Sequence, residues 1–498
     1  MSKLSKDILF LIFEELQDDS KSFFSCLIVN RFWCETVIPI LWKNPWCYNI
    51  NYKNKNYLFS TIAFYLSADD IKEFLTRHGT QLPSVSSKSL SFDYLSFCSS
   101  INIDIINDII SIGSSLAYNQ FLLQQEFYKL FMKKCPRLKY LDINSINHQI
   151  FYFPEANIRL ESLCELQCNT SIDPLYFYGL ARFCQHIQRL ITVNVSSKSN
   201  HGIAKLIEVQ RNLKYFEWND DFEDIDYYTD DPYKEILIEL EKKTNTLNHL
   251  KVFFQYVDNY EHTLQLLQEV LVKLHRLKTL TSDFSIFGEQ DIKLFFFKEL
   301  EILDVEYITI YEASIMIGNS GGQLKEISLK PYDFVYYSDN FIEDSLIYIR
   351  KIYENCPLIE YLSLVFTPSK DHFIEFEKLL NVCQNLKSLL LIVPKYYKRE
   401  TEEKILESGK EILELLIKSA STNLREFRFF NDFKFSCKTL EEFLEKWRGR
   451  PALTILTSNS IYEGEDYKKL INKYKDDGVI KNFSYESITN TENMDFKI

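Results

Sequence analysis

Residues able to do chemistry are plentiful in this 498-residue chain, but they are scattered. Cys164 and Cys168 lie four apart with no neighbouring His or second pair, and no C-x-x-C occurs, so the spacing does not make a zinc site. The eight histidines are dispersed, with His78, His186, His249 and His275 near predicted helix ends, an ordinary structural place for them. Gly318-Asn319-Ser320-Gly321-Gly322 is the one glycine-rich spot. It directly precedes an apolar strand pattern, where it serves as a helix terminator and not as a phosphate cradle. Neither phosphate-loop, dinucleotide, nucleophile-elbow nor H-E-x-x-H motifs are present. The densest charge run, Asp220 to Asp231, could hold a basic substrate tail, although such runs are ordinarily solvated loops. Lys395-Tyr396-Tyr397-Lys398-Arg399 is too short to specify nucleic-acid binding. The expectation is a chain with no catalytic residues, no cofactor and no metal: a binder and not an enzyme.

Composition agrees with that expectation. Apolar residues make up 46% of the chain, Phe (39) and Tyr (31) are abundant, and Gly and Pro number only 12 each. This mixture forms regular packed elements, not disorder or a turn-rich sandwich. The net charge of −13 argues against nucleic acid or an anionic membrane as the main partner. No secretory pattern opens the sequence, and apolar runs such as Leu389–Val393 fall far short of the ~20 residues that cross a bilayer. Eleven cysteines without a signal read as reduced intracellular thiols, placing the chain in the cytoplasm or the nucleus.

The elements that would position a binding site begin with residues 1–45. Three apolar helical patterns, Leu4–Leu16, Phe23–Val29 and Phe32–Trp42, crowd into a module too small to bury them. Ile8 through Phe13 is apolar on more than one helix face, so one face packs inward and another needs outside cover. The alternative is a helical cap packed on the following array. The run Leu4-Ser5-Lys6-Asp7-Ile8-Leu9, Ile12-Phe13-Glu14-Glu15-Leu16, Cys26-Leu27-Ile28-Val29-Asn30-Arg31-Phe32-Trp33 and Leu41-Trp42 resembles the F-box. Ser5 stands where the usual F-box has proline, and a serine there can cap the helix. The resemblance implies that Leu4, Ile8, Leu9, Phe13, Leu27, Val29, Asn30, Phe32, Trp33 and Trp42 dock a Skp-type linker protein, and through it a cullin scaffold.

The rest of the chain repeats one phrase, L-x-x-L-x-L. Strong copies open at Leu138, Leu213, Leu300, Leu324, Ile359, Leu386 and Leu424, and weaker ones at Leu163, Ile187, Leu250, Leu277 and Leu453. Their mean spacing of about 29 residues sits at the upper edge of leucine-rich repeats. The phrase turns apolar side chains inward along a short strand while the intervening residues point out. Helical patterns lie between copies at Phe121–Lys134, Ile236–Thr244, His262–Leu274, Phe341–Glu354 and Lys404–Ser419. A single strand-and-helix unit cannot cover its own apolar face, so the units must stack. Cys135, Cys184, Cys356 and Cys383 each precede a copy by three residues, a phase that predicts small buried residues where helix meets strand.

The predicted fold is α/β: a three-helix F-box-like module (1–45), a linker and capping region (46–120), an irregular leucine-rich-repeat solenoid (121–486) with a curved parallel sheet inside and helices outside, and a polar tail (487–498). Helical patterns at Tyr57–Leu66 and Asp69–His78 and a strand at Ser89–Tyr94 are expected in the capping region. The repeats spanning 213–250, 324–359 and 386–424 run long, through loops or extended helices. A target protein is expected on the concave strand face, at Tyr140, Asp142, Tyr215, Glu217, Asp304, Glu326, Ser328, Tyr361, Ser363 and Arg428, with Ile302, Lys330, Glu426 and Phe430 beside them. The family resemblance implies the substrate receptor of an SCF-type ubiquitin ligase in the ubiquitin-conjugation pathway. The alternative is a leucine-rich protein-interaction scaffold unconnected to ubiquitin transfer.

Overall fold

A computed structural model describes residues 4–16, 19–48, 52–66, 73, 76–77, 79, 90–222, 231–331, 340–392, 401–429 and 433–485. The chain forms two compact units, Met1–Lys243 and Thr244–Ile498. Both are built from parallel strands, each followed by a return segment that is mostly helical, and this is the α/β leucine-rich-repeat solenoid the phrase predicts.

The first unit opens with α1 (Lys6–Glu15), α2 (Ser20–Cys26), α3 (Arg31–Lys43) and α4 (Tyr52–Phe64). Then come β1 (Ser100–Asn102), α5 (Ile103–Ile110), α6 (Ala117–Lys134), β2 (Tyr140–Asp142), α7 (Ala156–Glu161), β3 (Glu165–Asn169), α8 (Pro174–Ala181), β4 (Arg189–Asn194), α9 (His201–Val209), β5 (Tyr215–Asp220) and α10 (Lys234–Glu241). Strands pair in chain order, with Tyr140 opposite Glu165, Glu165 opposite Arg189 and Arg189 opposite Tyr215.

In the second unit the order is β6 (His249–Phe253), α11 (Glu261–Lys273), β7 (Thr279–Asp283), α12 (Glu289–Ile292), β8 (Ile302–Ile308), α13 (Ile310–Gly318), β9 (Glu326–Pro331), α14 (Phe341–Asn355) and β10 (Tyr361–Val365). It continues with α15 (Lys370–Val382), β11 (Ser388–Ile392), α16 (Glu402–Ser419), β12 (Glu426–Phe429), α17 (Cys437–Trp447), β13 (Leu453–Thr457), α18 (Glu465–Asp476) and β14 (Ile480–Tyr485).

The leucine phrase does what its period requires. Leu138, Leu141, Leu163, Leu166, Leu213, Leu300, Leu303, Leu324, Leu362, Leu386 and Leu389 are all buried. At about 25 cal/mol per Å² of apolar area, this recurrent burial is the main force holding each repeat to the next. Cys135, Cys184, Cys356 and Cys383 are buried at the turn from helix to strand, each donating its backbone N–H to the residue four earlier. Gly318 closes α13, and Gly321 and Gly322 follow with φ of 70° and 79°. A Cβ on Gly321 would lie 2.4 Å from the Lys298 carbonyl oxygen, so this turn requires glycine.

Several expectations are corrected. Residues 90–94 hold no strand: a bend leads into a 3₁₀ turn at Tyr94–Ser96, and the strand comes at β1. Ser89, most of Asp69–His78 and the tail 487–498 lie outside the described residues. Leu250 pairs with Leu280, the second apolar position of its repeat, so that copy opens at Leu247. Ile455 pairs with Phe427 in the same way, which makes Ala452, not Leu453, the opening position. Part of the extra length in two long repeats is helical, 15 residues in α14 and 18 in α16.

Candidate interaction surfaces

The three helices α1–α3, the head of the chain, pack around Leu9, Phe13, Phe23, Cys26, Val37 and Ile40, with Leu16, Leu27, Trp33, Leu41 and Tyr48 closing over them. Each helix is capped locally. Ser5 Oγ accepts from the Ile8 amide at 3.4 Å, Asp19 Oδ1 from Ser22 at 3.2 Å, and Asn30 Oδ1 from Trp33 at 2.9 Å. Phe13 and Trp33 meet edge to face at 5.2 Å.

This packing divides the predicted docking residues. Leu9, Phe13 and Trp42 are buried, so they hold the protein together and cannot themselves be presented to a partner. Asn30 spends its side-chain oxygen on a cap, and Leu27 and Trp33 lean on the core. Leu4, Ile8, Val29 and Phe32 are exposed. Leu11 (62% exposed) and Ile12 join Ile8 on α1, at the 3- and 4-residue spacings of one helix face, and Leu4 precedes the helix. Ile28, at 87%, stands beside Val29 in the turn before α3. Leu11, Ile12 and Ile28 were missed among the candidates. The helical phase set by Leu9 and Phe13 was the signal that could have found Leu11 and Ile12.

α3 does something different. Trp42 packs on Tyr94 at 4.7 Å, and the Lys43 carbonyl accepts from the Ser99 amide at 3.0 Å and the Ser100 hydroxyl at 3.1 Å. Trp46 Nε1 donates to the Ser100 carbonyl at 2.9 Å. The end of the head is therefore bonded into the first strand, while the outer face of α1 remains open.

Along the strand faces the alternation is only partly as expected. Tyr140, Glu217, Asp304, Glu326, Tyr361 and Arg428 keep partial exposure, whereas Asp142, Tyr215, Ser328 and Ser363 are buried. Neighbouring strands ~4.8 Å apart let long side chains shelter short ones. Tyr215 is covered by the Arg189 guanidinium, 3.8 Å from its ring centroid, while Arg189 also reaches Glu165 at 3.3 Å. Asn102 donates to Asp142 at 3.0 Å, and burial lifts the Asp142 carboxyl to about 6. Burial first, and then the charges of Glu360 and Asp304, lift Glu326 to about 7. Ser388 and Arg428 both donate to Glu426 Oε1 at 2.7 Å. Phe430 lies outside the described residues, as does the run at Lys395–Arg399.

The acidic run from Asp220 is likewise divided. Residues 223–230 lie outside the described residues. Asp220 itself is buried, accepting from Asn194 Nδ2 (2.8 Å), Trp218 Nε1 (2.9 Å) and the Tyr233 hydroxyl (2.7 Å). It is a structural acceptor and not a contact for a basic tail. Among the described residues no group of His, Cys, Asp and Glu could hold a metal ion, and no helix is long and apolar enough to cross a membrane.

No protein-family model matches the chain, and the search of curated proteins found no match. Among solved structures, a chain of the yeast Rad7 and Elc1 complex matches at 16% identity and a TM-score of 0.41, over 91% of this chain and 98% of its own. So loose a likeness transfers no partner. The solenoid rests on strand order and register in the chain itself.

Proposed function

We propose that this chain is a non-catalytic substrate receptor of an SCF-type ubiquitin ligase. In this reading the head docks a Skp-type linker, and through it a cullin scaffold, while the repeats hold the target protein. Transfer chemistry belongs to other subunits; the receptor supplies proximity and orientation. One observation carries the reading: Ile8, Leu11 and Ile12 form an exposed apolar face on α1, opposite the side that Leu9 and Phe13 bury, with Leu4 exposed just ahead of the helix. Soluble proteins keep such patches for partners. The order of residues resembling the F-box says which partner to test first.

The rival, a repeat scaffold whose head is only a cap, is favoured by the bonds from α3 to β1. Those bonds account for α3 and leave the outer face of α1 without a role. The test is co-purification of the full-length chain with a purified Skp-type linker. Wild type and Ile158→Asp should bind; Ile8→Asp combined with Ile12→Asp should not, with far-UV spectrum and unfolding midpoint unchanged. Failure of wild type to bind, or survival of binding in the double variant, rejects the docking assignment.

A further inference from the structure

We infer that the edge of the first unit where helices turn into strands docks a short, extended acidic segment of a partner protein. Six exposed cations lie along this edge: Lys133 at the end of α6, and Arg137, Lys139, Arg182, Arg211 and Lys214 in the turns. Backbone bonds stack the turns. The Lys139 amide donates to the Ser99 carbonyl (2.6 Å), Cys164 to Lys139 (2.9 Å), Gln188 to Cys164 (2.7 Å) and Lys214 to Gln188 (2.9 Å). Each step is one strand spacing of ~4.8 Å, so Lys139 and Lys214 stand about 14 Å apart.

Among the described residues none of the six forms an ion pair. The Lys139 ammonium lies 3.6 Å from Cys164 Sγ, Arg211 donates to Gln185 Oε1 at 2.9 Å, and Arg182 sits over the Phe183 ring. The carboxylates in the same turns are Glu161 and Glu208, and Glu208 is held by Lys205 at 2.8 Å. In the equivalent row of the second unit the lysines are each held by a glutamate, although with Arg425 its four cations still outnumber its two carboxylates. There Glu301 takes Lys278 at 2.8 Å and Lys325 at 2.7 Å, and Glu360 takes Lys387 at 2.5 Å. In the first unit the positions between Lys139 and Lys214 are Cys164 and Gln188, which supply no charge. In a chain of net charge −13, a row of unmatched cations calls for an external anion.

The footprint selects the kind of anion. About four residues of extended chain, at ~3.4 Å each, span 14 Å. A nucleic-acid duplex would run past the row at both ends and meet the repulsion of an acidic protein. A short Asp- or Glu-rich protein segment fits the length and the sign.

The test is fluorescence polarisation of the full-length chain with a fluorescein-labelled octa-glutamate peptide. Binding should be measurable at low salt and weaken at least about tenfold in 0.3 M salt, where screening extends over less than about 6 Å. Arg137→Glu with Lys139→Glu, and Arg182→Glu with Lys214→Glu, should each weaken it about tenfold or more. Lys468→Glu with Lys469→Glu, the same charge change in the second unit, should change it less than about twofold. Ile8→Asp with Ile12→Asp should leave it intact, which separates this edge from the head. The assignment is overturned by no binding to wild type, by equal losses in the second-unit control, by loss in the head variant, or by tighter binding of a DNA duplex of equal charge.

Discussion

The Tyr233 hydroxyl donates to Asp220 Oδ2 at 2.7 Å, tying the residue before α10 to the last residue of β5. The other carboxylate oxygen holds Asn194 and Trp218, and Asn194 in turn accepts from Thr170 at 2.8 Å. Buried networks of this kind are expensive to break, because every partner left behind is out of reach of water. Tyr233→Phe should cost about 1–2 kcal/mol and Asp220→Ala about 3 kcal/mol, by the ordinary penalty of unsatisfied buried groups. Denaturant unfolding followed by tryptophan fluorescence would measure both; a change in Tyr233→Phe below a few tenths would remove the network from the stability of the first unit.

His372 makes a pH prediction. It is buried, with Nε2 2.9 Å from Ser345 Oγ and Nδ1 2.8 Å from Ser369 Oγ, and burial lowers its pKa to about 4. The unfolded chain titrates near 6.5, so between about 4 and 6.5 it binds more protons than the fold does, and stability falls as pH drops through that window. Glu326 and Asp142 have raised pKa values and act in the opposite sense as pH rises. The difference between wild type and His372→Asn therefore isolates the histidine. That difference should change by on the order of 2–3 kcal/mol between pH 7 and pH 4.5, and a flat difference would refute the assignment.

In the head, Phe13 and Leu11 sit two residues apart with opposite roles. Phe13→Ala should cost about 3–5 kcal/mol, the usual penalty for emptying an aromatic core site. Leu11→Asp should stay within about 0.5 kcal/mol, since the side chain already faces water. Thermal unfolding of the two variants distinguishes them, and comparable losses would place Leu11 in the core after all.

Thiol reactivity offers a fourth test. Cys47 is exposed, whereas Cys168, Cys184, Cys356 and Cys383 are buried with pKa values pushed up to about 12, mainly by burial. An aromatic disulfide reagent at pH 8 should label Cys47 within seconds to minutes and these four only after denaturant is added. Early labelling of Cys356 in the native protein would contradict the packing described.

How much of this was legible in the residues depends on what kept them in order. Leu138-x-x-Leu141 and its kin reveal the repeats because one apolar face per strand must be covered, whatever else the repeat carries. The first strand was hidden: the opening position holds Cys98, serines follow, and only Ile101 and Ile103 remain of the phrase. Leu250 and Leu453 misled by three residues and one, because two apolar residues in a row leave the phase open. In α1 the types of Leu9 and Leu11 are the same, so only helical phase separates the one that packs from the one that does not. The cationic row was invisible in sequence because Arg137, Lys139, Arg182 and Lys214 are brought together only by stacking.

Within each unit, among the described residues, every strand bonds only to those adjacent to it in the chain. Such an architecture has no distant closure to satisfy. A whole module can be copied, lost or lengthened without unpicking the others, so the reach of the molecule can drift by recombination while the grip between neighbours stays the same.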